Sequence, residues 1–145
     1  SGTHVRELSI WRLAGLDPHG RPWYKEAGQG MAETLVMADE MMAYTLSDVS
    51  TFLSLKKRGR LPNLEVLYSG GEELINIYSA YIVESCRGVE RMYAEKFIEF
   101  VAGPEGQEII SSYGEEEFGR PLFSQAASRL QELKALWEKL AGAQG

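Results

Sequence analysis

The sequence predicts an α/β fold, on three observations. LEVLY (64–68) alternates apolar side chains in the manner of a strand. NIYSAYIVE (76–84) is rich in β-branched and aromatic residues, which suit a pleated, half-buried surface. Both stretches, with a shorter one at AYTL (43–46), sit between segments of helical period, an alternation that implies a mostly parallel sheet flanked by helices.

Each element follows from local signals. The first helix is expected from about His4 to Ala14. Thr3 is its N-cap, Val5, Leu8 and Trp11 lie on one side, and Gly15 stops it. LDPHGRPW is a loop by its Pro and Gly content, and EAGQG is a second loop. MAETLVMADEMM follows as a strong helix former with Met31, Leu35, Ala38 and Met42 along one stripe. SDVSTFLSLKKRG reads as a helix capped by Asp48 or Ser47 and ended by Gly59. SGGEEL turns the chain. The remainder is helical: VERMYAEKFIEFVAG ends at Gly103, PEGQEIISSYG begins with Pro in its first turn, and SQAASRLQELKALWEKLAG follows. The apolar face of that last helix is Leu130, Leu133, Leu136, Trp137 and Leu140.

Composition narrows the function classes. With 145 residues, 44% hydrophobic and 25% charged, the chain suits one domain or one lobe of a larger protein. A formal charge of −6 argues against a nucleic-acid partner, whose phosphates it would repel. It does not argue against a small anion, which backbone N–H groups bind without net positive charge. Cys86 is the single cysteine, so no internal disulfide forms. No apolar run approaches the roughly 18–20 residues of a membrane span. The start on Ser1 instead of Met suggests a piece of a longer protein.

Three places set small residues and hydroxyls at a helix start: Ser1-Gly2-Thr3, Gly28-Gln29-Gly30-Met31 and Thr45-Leu46-Ser47-Asp48. Helix N-termini carry unpaired N–H groups and about half a positive charge. Glycine permits close backbone approach, and Ser or Thr adds an O–H donor. Three such ends meeting at one point would cage an oxyanion with neutral donors, although each taken singly is also an ordinary helix cap.

SGTH before a Glu/Trp helix, then AGLDPHG, WY, GQGM, AYTLSD and GPEGQEII…YG…FG.PLF form an ordered series from Ser1 to about Phe123. That series resembles the periplasmic tungstate-binding proteins of ABC uptake transporters, a family of type II solute-binding proteins. The resemblance implies a two-lobed α/β clamshell that closes on one oxyanion and delivers it to a membrane permease. It implies that residues 1–80 form the second lobe and that 81–145 are the return strand and C-terminal helices belonging to the first lobe. It carries the anion contacts onto Ser1, Gly2, Thr3, His4, Gly30, Met31 and Thr45. It implies tungstate or molybdate as ligand, no cofactor, no metal other than that of the oxyanion, and a periplasmic or extracytoplasmic location. Two positions depart from the family pattern near the hinge: Val49-Ser50 replaces a basic residue and Gly, and Asn76-Ile77 replaces Asn-Pro.

Other residues have plainer readings. His4 and His19 lack ligand-spaced Cys or carboxylate partners and suit the surface. Lys56, Lys57, Arg58 and Arg60 complement a helix C-terminus. Glu115, Glu116 and Glu117 form a solvated acidic turn, and Trp11, Trp23 and Trp137 suit core or interface positions. No catalytic pair emerges, so the chain reads as a binding module and not an enzyme. The rival reading is a sensory or interaction fragment of the same fold that has lost transport and pairs as a homodimer across its exposed lobe face.

Overall fold

The computed structural model describes residues 2–85 and 87–142, apart from the side chains of residues 137 and 140–142. Ser1 and Cys86, and the side chains of Trp137 and Leu140, therefore lie outside the described residues. The chain divides into two units: residues up to Ile75 joined by those from Lys139 onward, and Asn76–Glu138.

In the first unit, α1 spans Gly2–Leu13, α2 Met31–Glu40 and α3 Val49–Lys57, followed by a 3₁₀ turn at Glu72–Leu74. Their ends obey local chemistry. Gly15 takes a positive φ of 71° just past α1, where a left-handed residue turns the chain off the helix. Asp48 caps α3 by accepting the N–H of Thr51 at 2.8 Å. The core is Leu35 of α2, Leu55 of α3 and Leu61 of the following loop, with Met31, Ala32, Val36, Phe52 and Leu64 packed against it.

Leu61 becomes buried because the loop that carries it is anchored twice. Lys56 Nζ donates to the carbonyls of Leu61 at 2.8 Å and Leu64 at 2.6 Å. Asp39, itself buried, accepts from the N–H groups of Asn63 and Leu64 at 2.9 and 2.8 Å. Lys56 thus does more than complement the helix dipole, since it satisfies carbonyls beyond the helix.

In the second unit, α4 spans Gly88–Ala102, α5 Pro104–Ser112 and α6 Glu115–Phe118, and a 3₁₀ turn at Ala127–Arg129 leads into α7, Leu130–Gly142, whose residues from Lys139 onward belong to the first unit. The GPEGQ stretch is the joint between α4 and α5. Gly103 ends one helix and caps the next, and Pro104 opens α5, where its missing N–H costs nothing. Gly106 is buried so tightly that a Cβ would stand 2.2 Å from the Phe100 carbonyl oxygen. Gln107 brackets the joint: Nε2 donates to the Val101 carbonyl at 2.8 Å, and Oε1 accepts from Ala126 N at 2.9 Å. On α7, Leu133 is buried and Leu136 partly so, whereas Leu130 is exposed.

The α/β expectation fails at its strands, because the described residues contain none. AYTL, LEVLY and NIYSAYIVE carry no regular secondary structure. A strand exists only when a neighbour accepts its ladder of N–H and C=O groups, and these stretches have no such partner among the described residues. Val66, Leu67, Tyr68, Tyr78 and Tyr81 are accordingly exposed. Two further corrections concern helices. Met42 does not extend the α2 stripe: the helix ends at Glu40, and Met42 turns away with φ 54° and is exposed. The acidic run at 115–117 forms the short helix α6 and not a simple turn.

Candidate functional site

All three glycine- and hydroxyl-bearing helix starts fall in the first unit. α1 already includes Gly2, so Thr3 sits in helical backbone and is not the cap expected of it. Gly2 is exposed, and a Cβ placed on it would meet no atom within 4 Å, so nothing in the fold itself demands glycine there.

The α2 start matches its expectation. Gly30 is the N-cap with extended backbone (φ −69°, ψ 170°), and its carbonyl accepts Thr34 N at 3.0 Å and Thr34 Oγ1 at 2.8 Å. No side chain caps this end through Gly30, so the first-turn N–H groups, Met31 among them, have no acceptor within the helix. The Glu33 carboxylate lies close by, with Oε2 2.7 Å from where a Gly30 Cβ would be.

Thr45 is exposed ahead of α3, and its hydroxyl reaches the Leu46 carbonyl at 3.4 Å. Asp48 is committed to its own turn, accepting Ser50 Oγ at 2.6 Å and Thr51 Oγ1 at 2.8 Å as well as the Thr51 N–H. Partial burial pushes the Asp48 carboxyl up, but these hydrogen bonds outweigh it and hold the pKa below its ordinary value. Ser50, one of the two departures from the family pattern, is therefore a cap partner.

α2 and α3 pack against each other, which ties the Gly30 start and the Thr45 turn to one helix pair. Ser1 lies outside the described residues, and no hydrogen bond links Gly2, Thr3 or His4 to Gly30, Met31 or Thr45 among those described. A cavity of about 490 Å³, open to solvent, is lined by Arg21, Lys25 and Tyr24 among others and by none of the expected anion contacts. Its two cations were not singled out by the sequence, because the DPHGRPWYKE loop shows its turn residues more plainly than its charge.

His4 has a partner that spacing alone made legible but that its surface reading passed over. Its Nδ1 lies 3.3 Å from Glu7 Oε2, one turn along α1. The same carboxylate accepts Tyr24 O–H at 2.8 Å and Trp11 Nε1–H at 2.6 Å. Burial and then the Glu7 bond push the Tyr24 phenol up to about 12. Trp11 in turn stands 5.4 Å from Trp23, centroid to centroid. Among the described residues no three His, Cys, Asp or Glu side chains converge as a metal site, and no helix is long and apolar enough to cross a membrane.

The chain has curated relatives along most of its length. It is 36% identical over 131 residues to the tungstate-binding protein TupA of Peptoclostridium acidaminophilum, covering 89% of this chain and 44% of that protein. It is 42% identical over 117 residues to an ABC transporter anion-binding protein of Haloferax volcanii, covering 78% of this chain and 34% of that one. The TupA of Campylobacter jejuni is 31% identical over 127 residues, 85% of this chain and 46% of the relative. The chain thus spans less than half the length of each of these relatives. No family model matches it, and no solved structure does.

Proposed function

We propose that this chain, a homologue of tungstate-binding proteins and of an ABC transporter anion-binding protein, binds a tetrahedral oxyanion, tungstate foremost, as part of the solute-binding component of an ABC uptake transporter. The observation that carries the reading is the 31–42% identity to binding proteins over 78–89% of the chain. The helix starts supply the chemistry. Ser1, Gly2 and Thr3 offer first-turn N–H and O–H donors, Gly30 and Met31 a second set, and His4 and Thr45 side-chain contacts. The net charge of −6 is no obstacle, because such donors act at short range through dipoles fixed in the backbone.

Tungstate, molybdate and sulfate carry the same charge, so only geometry separates them. A cage of backbone donors fixes the radius at which every donor can reach an oxygen, and the smaller sulfate meets fewer of them at good distance. Molybdate is the nearest competitor. The same proposal includes a clamshell with residues 1–80 in the second lobe and 81–145 returning to the first. It also includes an extracytoplasmic location and a permease as the receiving partner.

Calorimetric titration with tungstate, molybdate and sulfate tests it. Saturable heat with tungstate and none with sulfate supports the reading; silence with all three, repeated on a longer chain carrying the missing length of the relatives, overturns it. The rival, a paired fragment without transport, is favoured by one observation: Tyr44, Tyr81, Leu67 and Tyr78 are all at least 74% exposed. Sedimentation of the chain separates a homodimer from a monomer.

A further inference from the structure

We infer that Glu7 is a positioning residue of the oxyanion site: its carboxylate orients the His4 ring at the start of α1 and ties that start to the Trp11–Tyr24 aromatic cluster. The inference rests on the oxyanion reading above. His4, Glu7 and Trp11 stand three and four residues apart on α1, the spacing that stacks side chains along one helix face. Glu7 Oε2 takes His4 Nδ1 at 3.3 Å and Tyr24 O–H at 2.8 Å, while Oε1 takes Trp11 Nε1–H at 2.6 Å.

This arrangement resolves an electrostatic conflict. A carboxylate two turns into a helix whose start receives a dianion would repel that ligand if its oxygens faced it. Here both oxygens already accept donors from the protein, and the Glu7 side chain is only 25% exposed. The negative charge is turned inward, where it favours a donating Nδ1–H on His4. Fixing the proton on one ring nitrogen and the ring in one orientation lowers the entropy that His4 must lose when an anion arrives. Tyr24 and Trp11 hold the carboxylate in turn, so the loop after α1 braces the first turn of the helix.

The test compares Glu7→Gln with Tyr24→Phe in the full 145-residue chain. Sodium tungstate is titrated by calorimetry, and ¹⁵N NMR follows the two imidazoles, His4 and His19. Tyr24→Phe removes one hydrogen bond from the same carboxylate but leaves the His4 contact, so it controls for loss of bracing alone. The expected result is a dissociation constant about tenfold weaker in Glu7→Gln, the scale of one lost charge-assisted hydrogen bond. The His4 Nδ1 resonance moves with it, while Tyr24→Phe, which keeps the Glu7–His4 contact and loses only one brace, weakens binding clearly less and leaves the His4 Nδ1 resonance near its wild-type position. Equal weakening in both variants, tracking their thermal midpoints, makes Glu7 a structural tether and overturns the inference. Unchanged affinity in Glu7→Gln beside a binding wild type overturns it alone; silence to tungstate both in this chain and in a longer chain spanning the full length of the relatives removes the oxyanion reading and the inference together.

Discussion

Asp39 and Asn63, 24 residues apart, are joined by two hydrogen bonds: the Asp39 carboxylate accepts the Asn63 backbone N–H at 2.9 Å and its side-chain amide at 3.0 Å. Leu64 N–H adds a third at 2.8 Å. An acidic residue near a helix C-terminus is disfavoured by the helix dipole, so these donors are what hold it there. They close the loop that places Leu61 against Leu35 and Leu55. Asp39→Ala leaves two backbone N–H groups unpaired in a part-buried site. It is expected to destabilise the first unit by about 2–4 kcal/mol in urea denaturation, with Asp39→Asn falling between.

Gly106 answers to packing alone. Its added Cβ would lie 2.2 Å from Phe100 O and 2.9 Å from Val101 Cα, both backbone atoms that cannot swing aside. Gly106→Ala is expected to cost about 2 kcal/mol or more through forced separation of α4 and α5. Thermal melts of the variant check this, and a midpoint equal to wild type would show that the joint is not as tight as its geometry.

Asp48 predicts an acid-side dependence. Its folded pKa lies below the ordinary 3.8, so its contribution to stability is complete above that value and is lost as pH falls through the lowered one. Asp48→Asn is expected to flatten the stability curve below about pH 4, where the wild type declines. Circular dichroism melts across pH 2–6 measure it.

Tyr24 predicts the alkaline counterpart. A phenol raised from 10.0 to about 12 stabilises the fold fully below pH 10 and loses that contribution as pH rises towards 12. Tyr24→Phe should remove this part of the alkaline decline, and ultraviolet titration of tyrosinate absorbance follows the group directly.

Gly2 separates fold from function. Because a Cβ there meets open space, Gly2→Leu is expected to leave the thermal midpoint at or slightly above wild type, since glycine is a poor helix former. Under the oxyanion reading the same change abolishes tungstate heat by blocking approach to the first-turn N–H groups. Retained affinity would exclude Gly2 from the site.

The expected site was legible only where its signals are local. Gly30 and Asp48 stand at the caps their residue types announce, since a cap is settled by the few residues that follow it. Thr3 misled because a hydroxyl before an apolar period reads the same whether it is the cap or already within the first turn. The His4–Glu7 spacing was visible, but Tyr24 joins them across a loop whose path no periodicity describes.

Local signals placed several helix ends correctly, though not the start of α1 or the end of α2: Gly15, Gly30, Asp48, Gly59, Gly103 and Pro104 all act through neighbours within a turn or two. A helix satisfies its own backbone, so local chemistry suffices. The remaining features depend on contacts between distant segments. The β-rich stretches at 64–68 and 76–84 become strands only if a partner supplies the ladder, and no pattern within them contains that partner. Likewise Asp39 is a polar position on a helix until a loop 24 residues away brings it two backbone N–H groups, and Gly106 is an ordinary glycine until α4 lies against it. Contacts between residues distant in sequence are chosen by the whole chain's packing, which the local run of residues does not encode.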